Sequence, residues 1–209
     1  MLVTHLHDWL RDKTYCVFDT ETSHSDPAQA RLFELGALRV SRGRMVGALS
    51  VVVWQPEEVI AAAGEALAVN GIDPDEIRGG IPCAYAIEML RAICSGADFV
   101  VGHNVGYDVR VVSGEADRNS VSLPLPRVLC TQALAWGGSP KCYALSIKKL
   151  APDLGVKQGQ AHRAFGDVLT TDQILSALLR RHRLTSVEEL AARCDVWRKE
   201  VRAWFASKG

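Results

Sequence analysis

Three apolar, β-branched runs crowd the start of this chain: YCVFDT (15–20), FELGALRV (33–40) and MVGALSVVVW (45–54), the last two separated by the turn signal Ser41-Arg42-Gly43-Arg44. Runs of this length bounded by turn residues read as strands, and connections this short predict an antiparallel meander. From Pro56 the pattern becomes helical, in PEEVIAAAGEALAV and then PCAYAIEMLRAIC, where Pro82 suits a helix first turn. A fourth strand, DFVVGH, leads into the helical YDVRVVSGEA. After the proline-marked SLPLPR come a fifth strand, RVLCT, and helices from Ala144 and from about Arg163 to Arg181. Strands first, then strands alternating with helices, predict an α/β body with a mixed five-stranded central sheet flanked by helices. That body spans residues 14–182, between an N-terminal helical extension (1–13) and a C-terminal helical, locally basic segment (183–209).

Composition narrows what such a body can do. The 209 residues carry 24 Lys+Arg and 24 Asp+Glu, so no global field draws the chain to nucleic acid or to a membrane, and a polyanion has to be held locally. The opening MLVTHLHDWLRDK lacks the basic and long apolar regions of a secretory signal, and no run reaches the ~18 apolar residues of a membrane span. A cytoplasmic location without membrane attachment is expected. Six scattered cysteines, with no CxxC and no zinc-type spacing, read as reduced structural thiols.

Within this apolar chain, acids stand where strands end. Asp19 and Glu21 lie two residues apart on the first strand and share a face. Side by side, two like charges are costly unless a hard cation sits between them, although a solvated strand end would also carry them. Asp108 falls in the first turn of the helix after the fourth strand, where helix capping alone accounts for an acid. His162 and Asp167, in AHRAFGD, are five residues apart, about 500° of rotation and so roughly 140° apart around a helix. They converge only if His162 lies on the loop after Gly155–Gly159 and the helix starts near Arg163. A surface histidine and an N-terminal helix charge are the plainer alternatives.

Taken together and in order, FDTET, HNxxYD and HxxxxD resemble the three motifs of the DEDDh family of 3′→5′ exonucleases, over roughly Tyr15 to Arg181. Exonuclease X-like and proofreading-type members are the nearest match in the order LCTQALAW, LSIKKLAPDLGV, AHRAFGDV. The resemblance implies an RNase H-like fold in which Asp19, Glu21, Asp108 and Asp167 hold two Mg²⁺ or Mn²⁺ ions and His162 acts as general base. Two such ions stabilise the entering and leaving oxygens of in-line attack on a phosphodiester, and an imidazole is a better proton acceptor for the attacking water than a carboxylate. It further implies Thr20, Thr22, Ile72, Asn104 and Tyr107 on the substrate side, with Ile72 as an apolar wedge against the terminal base. His103 is expected to be structural. Val69-Asn70-Gly71-Ile72 departs from the Val-His-Gly-Ile of many relatives, which bears on substrate handling rather than on the metals.

The expected activity is therefore release of nucleoside 5′-monophosphates from the 3′ end of DNA, chiefly single-stranded, in repair or proofreading. A 3′→5′ exoribonuclease and a non-catalytic nucleic-acid-binding module are the alternatives. At the C-terminus, Trp197, Val201, Trp204 and Phe205 share one helical face beside Arg198, Lys199 and Arg202. That face either closes the core, docks a polymerase or repair partner, or touches the DNA backbone.

Overall fold

The computed structural model describes residues 8–135, 145–159 and 162–195. The meander is present: β1 (Thr14–Thr22), β2 (Leu32–Ser41) and β3 (Arg44–Val52) pair antiparallel in sequence order. Next come the short helices α1 (Glu57–Ala62), α2 (Gly64–Asn70) and α3 (Pro74–Arg78), then α4 (Cys83–Cys94). The expected single helix from Pro56 is thus broken at Ala63, immediately before the weak helix former Gly64. The parallel strands β4 (Phe99–Gly102) and β5 (Arg127–Cys130) flank α5 (Gly106–Arg118), followed by α6 (Thr131–Ala135), α7 (Ile147–Asp153) and α8 (Ala164–His182). The five-stranded sheet has the order β3-β2-β1-β4-β5, so β1 is central, antiparallel to β2 and parallel to β4. This is the mixed, helix-flanked sheet of the RNase H-like exonuclease fold.

Side-chain alternation along β1 assigns the two faces. Tyr15 donates through its hydroxyl to Asp172 Oδ1 on α8 (2.8 Å), whereas Cys16 bonds the carbonyl of Ile93 on α4 (3.0 Å). Odd-numbered positions of β1 therefore face α8 and even-numbered ones face α4 and its neighbour α5. Because both faces are covered, β1 and β2 are buried almost throughout, and their apolar runs show little alternation. Tyr15 and Phe99 stack with ring centroids 5.3 Å apart at the centre of the main core. A smaller cluster of Phe33, Ile60, Ala63, Ile72 and Ile77 holds α1–α3 against the end of β2.

The flanks pack on this body as far as they are described. A short 3-10 helix, Asp8–Asp12, buries Leu10, and the Trp9 indole donates to the carbonyl of Leu184 (2.9 Å). Arg183 ends α8 in the left-handed region (φ 53°), and residues 187–195 form a further helical turn set that buries Leu190 and Cys194. Val3 and Leu6 of the N-terminal stripe, Ala144, and the face of Trp197, Val201, Trp204 and Phe205 lie outside the described residues. Among the described residues Cys16, Cys83, Cys94, Cys130 and Cys194 are free and buried. Among the described residues no helix is long and apolar enough to cross a membrane.

Candidate active site

The candidate residues gather at the C-terminal end of β1. Asp19 and Glu21, both odd-numbered, face α8, and Asp167 in the first turn of α8 faces them; each offers a carboxylate oxygen within 4.8 Å of the others. Helix α8 comes this close because Gly36, the cross-strand partner of Asp19, has no side chain. A Cβ there would lie 2.6 Å from the backbone of Ala164 and Phe165. The β1–β2 register shifts between Glu21 and Thr22, a bulge at the strand end that carries the acids.

Asp108 reaches the same strand end from the other face. Its Oδ1 accepts from the backbone N–H of Thr20 (3.0 Å) and from the Thr20 hydroxyl (2.7 Å), and Thr20 is the even-numbered residue between Asp19 and Glu21. Asp108 is thus tied to α5 and β1 rather than standing within the group of three.

Electrostatics set this cluster apart from an ordinary strand end. Burial, then the charges of Asp108, Asp167, Glu21 and Glu34, raise the Asp19 carboxyl well above its usual range. Burial and the neighbouring acids push Glu21 up to about 8. Burial raises Asp108 to about 6 against the opposing hydrogen bonds from Thr20, and burial also raises Asp167. Asp167 Oδ2 accepts from the His162 backbone N–H (3.4 Å), while its Oδ1 is buried without a hydrogen-bond partner. Crowded, desolvated carboxylates with an orphaned buried oxygen are the donor set that hard divalent cations take. The residues fit a metal centre.

His162 stands outside α8, as convergence required. It is exposed with φ 60°, and the extended Arg163 separates it from the helix that begins at Ala164. Two residues without a signal in the motifs hold this junction. Glu34, 2% exposed on β2 and the cross-strand partner of Glu21, accepts from Arg163 Nε (3.1 and 3.2 Å) and from the Ala164 N–H (3.2 Å). Arg163 Nη2 also donates to Glu76 (3.1 Å). Glu34 could have been singled out as the one acid in the apolar run of β2.

On the substrate side, a cleft of about 480 Å³ opens beside the acids, lined by the 21–25 segment, by α1 and α2, and by Tyr107. The Thr22 and Tyr107 hydroxyls lie within hydrogen-bond reach of one another and of the His24 carbonyl, and this three-way contact, shared by two protons, fastens the 22–24 segment to α5. Asn104 is exposed with φ 55°, a conformation asparagine tolerates, and shapes the strand-to-helix turn as its carbonyl accepts from Tyr107 N. Ile72 requires a correction: at 2% exposure it is packed in the Phe33 cluster and does not line the cleft, where Val69 lies instead, 64% exposed. Asn70 is turned inward, its Oδ1 accepting from the Ile72 N–H (3.1 Å). Buried His103 is structural: it bonds the Leu145 carbonyl through Nε2 (2.7 Å) and Thr131 through Nδ1 (3.0 Å).

Comparison with known proteins places this geometry. The exonuclease family model named RNase T matches residues 16–175. A Mycobacterium tuberculosis protein named as a bifunctional exonuclease/endonuclease is 29% identical over 82% of this chain and 27% of its own length. The PolC-type DNA polymerase III of Streptococcus thermophilus is 24% identical over 87% of this chain and 12% of its own length. The chain therefore spans about a quarter or less of these relatives. The crystal structure of E. coli exonuclease I in complex with a dT13 oligonucleotide superposes with a TM-score of 0.67 at 19% identity, covering 82% of this chain and 42% of that one. With the family model matching most of its length and the acids of the three motifs gathered at one strand end, this chain belongs to the exonuclease family.

Proposed function

We propose that this chain is a 3′→5′ exonuclease that hydrolyses single-stranded DNA, releasing nucleoside 5′-monophosphates with the help of two divalent cations, Mg²⁺ or Mn²⁺. The observation that carries the reading is the meeting of Asp19 and Glu21 at the end of β1 with Asp167 in the first turn of α8, their carboxylate oxygens within 4.8 Å of one another. These three acids, with Asp108 from the opposite face, would hold the cations. Bound there, such ions stabilise charge on the entering and leaving oxygens of an in-line displacement and acidify the attacking water.

The chain's own groups do the remaining work. His162, free of the helix and exposed beside Asp167, takes a proton from the attacking water at its imidazole. Thr20 fixes one oxygen of Asp108 through two hydrogen bonds, so that carboxylate presents its other oxygen in one orientation. Thr22 and Tyr107 hold the cleft wall against which the terminal nucleotide lies.

Single-stranded DNA as substrate is supported by the oligonucleotide bound to exonuclease I, and a repair or proofreading role by the exonuclease/endonuclease and DNA polymerase relatives. The C-terminal segment, with its apolar and basic residues, is the proposed contact for a polymerase or repair protein. The test is a panel of 5′-labelled single-stranded DNA, duplex DNA and RNA, with Mg²⁺ or Mn²⁺ and in chelator. A ladder shortening from the 3′ end of single-stranded DNA is expected. Faster trimming of RNA would make the chain an exoribonuclease, and binding without cleavage would make it a recognition module.

A further inference from the structure

The motifs do not account for His24, which lies three residues beyond Glu21 and lines the cleft beside the acids. Its ring is already oriented. Nδ1 accepts a hydrogen bond from the Asp26 backbone N–H (2.9 Å), and its carbonyl accepts from Tyr107 and Thr22. A ring nitrogen that accepts from an amide cannot carry the proton in the neutral imidazole, so the proton resides on Nε2. Among the described residues Nε2 has no hydrogen-bond partner, while both the ring's tautomer and its backbone are held by the protein.

The other charged residues lining this cleft are Glu21 and Glu65, both acids. A nucleotide brings phosphate, sugar and base oxygens to which ionised carboxylates do not donate, and His24 is, with the Asn70 amide, a lining side chain that can present an N–H to them. The volume of about 480 Å³ lies within the usual range for a small-molecule site.

We infer that His24 is a substrate-binding residue whose Nε2–H donates to an acceptor oxygen of the terminal nucleotide in this cleft. The inference rests on the nuclease reading above. It makes the 22–26 segment a preorganised donor loop, in which Asp26 N–H fixes the tautomer and Tyr107 fixes the backbone.

The two ring nitrogens can be separated by substitution. Asparagine at this position retains an acceptor where Nδ1 stands, and its side-chain oxygen can accept from the N–H two residues on in the manner of an Asx turn, but it has no donor at the Nε2 position. Glutamine places an amide N–H near Nε2 and loses the short-range acceptor. On 5′-labelled single-stranded oligothymidylate with Mg²⁺, His24→Asn is expected to raise KM about fivefold to twentyfold with kcat within about twofold, the usual effect of one lost hydrogen bond. His24→Gln is expected to stay within about threefold of the wild-type KM. Anisotropy of the same oligonucleotide in Ca²⁺ should show the same order of affinities. The reverse pattern, with Asn silent and Gln impaired, would make His24 a loop residue only and overturn the inference. Wild-type KM and affinity in both variants would overturn it too. A wild-type chain that cleaves nothing overturns the nuclease reading itself, and this inference with it.

Discussion

Gly36 and Ala164 meet backbone to backbone: a Cβ on Gly36 would lie 2.6 Å from the Ala164 carbonyl carbon and 2.8 Å from its oxygen. Since Gly36 is paired with Asp19 and Ala164 opens the helix that carries Asp167, this contact sets the distance across the acid cluster. Gly36→Ala has to push α8 off the sheet. Overpacking of this kind costs about 1–3 kcal/mol, and we expect chemical denaturation to show that loss together with at least a tenfold fall in cleavage. A variant with normal stability and rate would mean that α8 is not positioned here.

Among the acids, repulsion and burial oppose folding when no cation is bound. Asp19→Asn and Asp167→Asn should therefore abolish cleavage while leaving the melting temperature in chelator equal or higher, because both carboxyls are raised by burial and by their acidic neighbours. Unfolding of either variant in chelator would mark that acid as a structural cap.

His162 is exposed and lies outside α8, so its removal leaves the acids in place. His162→Ala should retain Mn²⁺ and oligonucleotide binding but lose about 10² to 10⁴ in kcat, the usual contribution of a positioned general base. Near-normal turnover at neutral pH would remove His162 from the mechanism.

A pH effect separable from the site comes from Asp172, buried against Tyr15 on the α8 face and raised to about 6, chiefly by burial, with the Tyr15 hydrogen bond opposing. A folded-state value above the unfolded one favours the protonated form. The associated stability is full below pH ~4 and is lost as the pH rises towards 6. Asp172→Asn cannot titrate, so its stability relative to wild type should improve by up to about 3 kcal/mol between pH 3.5 and pH 7. Parallel pH–stability curves for the two proteins would contradict this assignment.

Much of this arrangement was legible in the sequence because it is local. The strand runs and Ser41-Arg42-Gly43-Arg44 specify the meander, and the five-residue spacing lets His162 and Asp167 converge only if the helix begins after His162, as it does at Ala164. Less legible were the features made by contacts across the chain. The proximity of Gly36 to α8 and the Glu34–Arg163 pair, 129 positions apart, exist only once the sheet and helix are packed. Ile72 shows the converse. Its position in the motif suggested a wedge, but an isoleucine next to Phe33, Ile60 and Ile77 gains more from burial than from the cleft.

The central claim, that the acids at the end of β1 form the metal centre of a hydrolase, is tested most directly by calorimetric titration of Mn²⁺ into the wild-type chain and Asp19→Asn, with cleavage of 5′-labelled single-stranded DNA followed at each point. The account predicts two equivalents bound by the wild type, cleavage that rises with their occupancy, and the loss of both in Asp19→Asn. Full cleavage in chelator, or Mn²⁺ binding unchanged by Asp19→Asn, would contradict it.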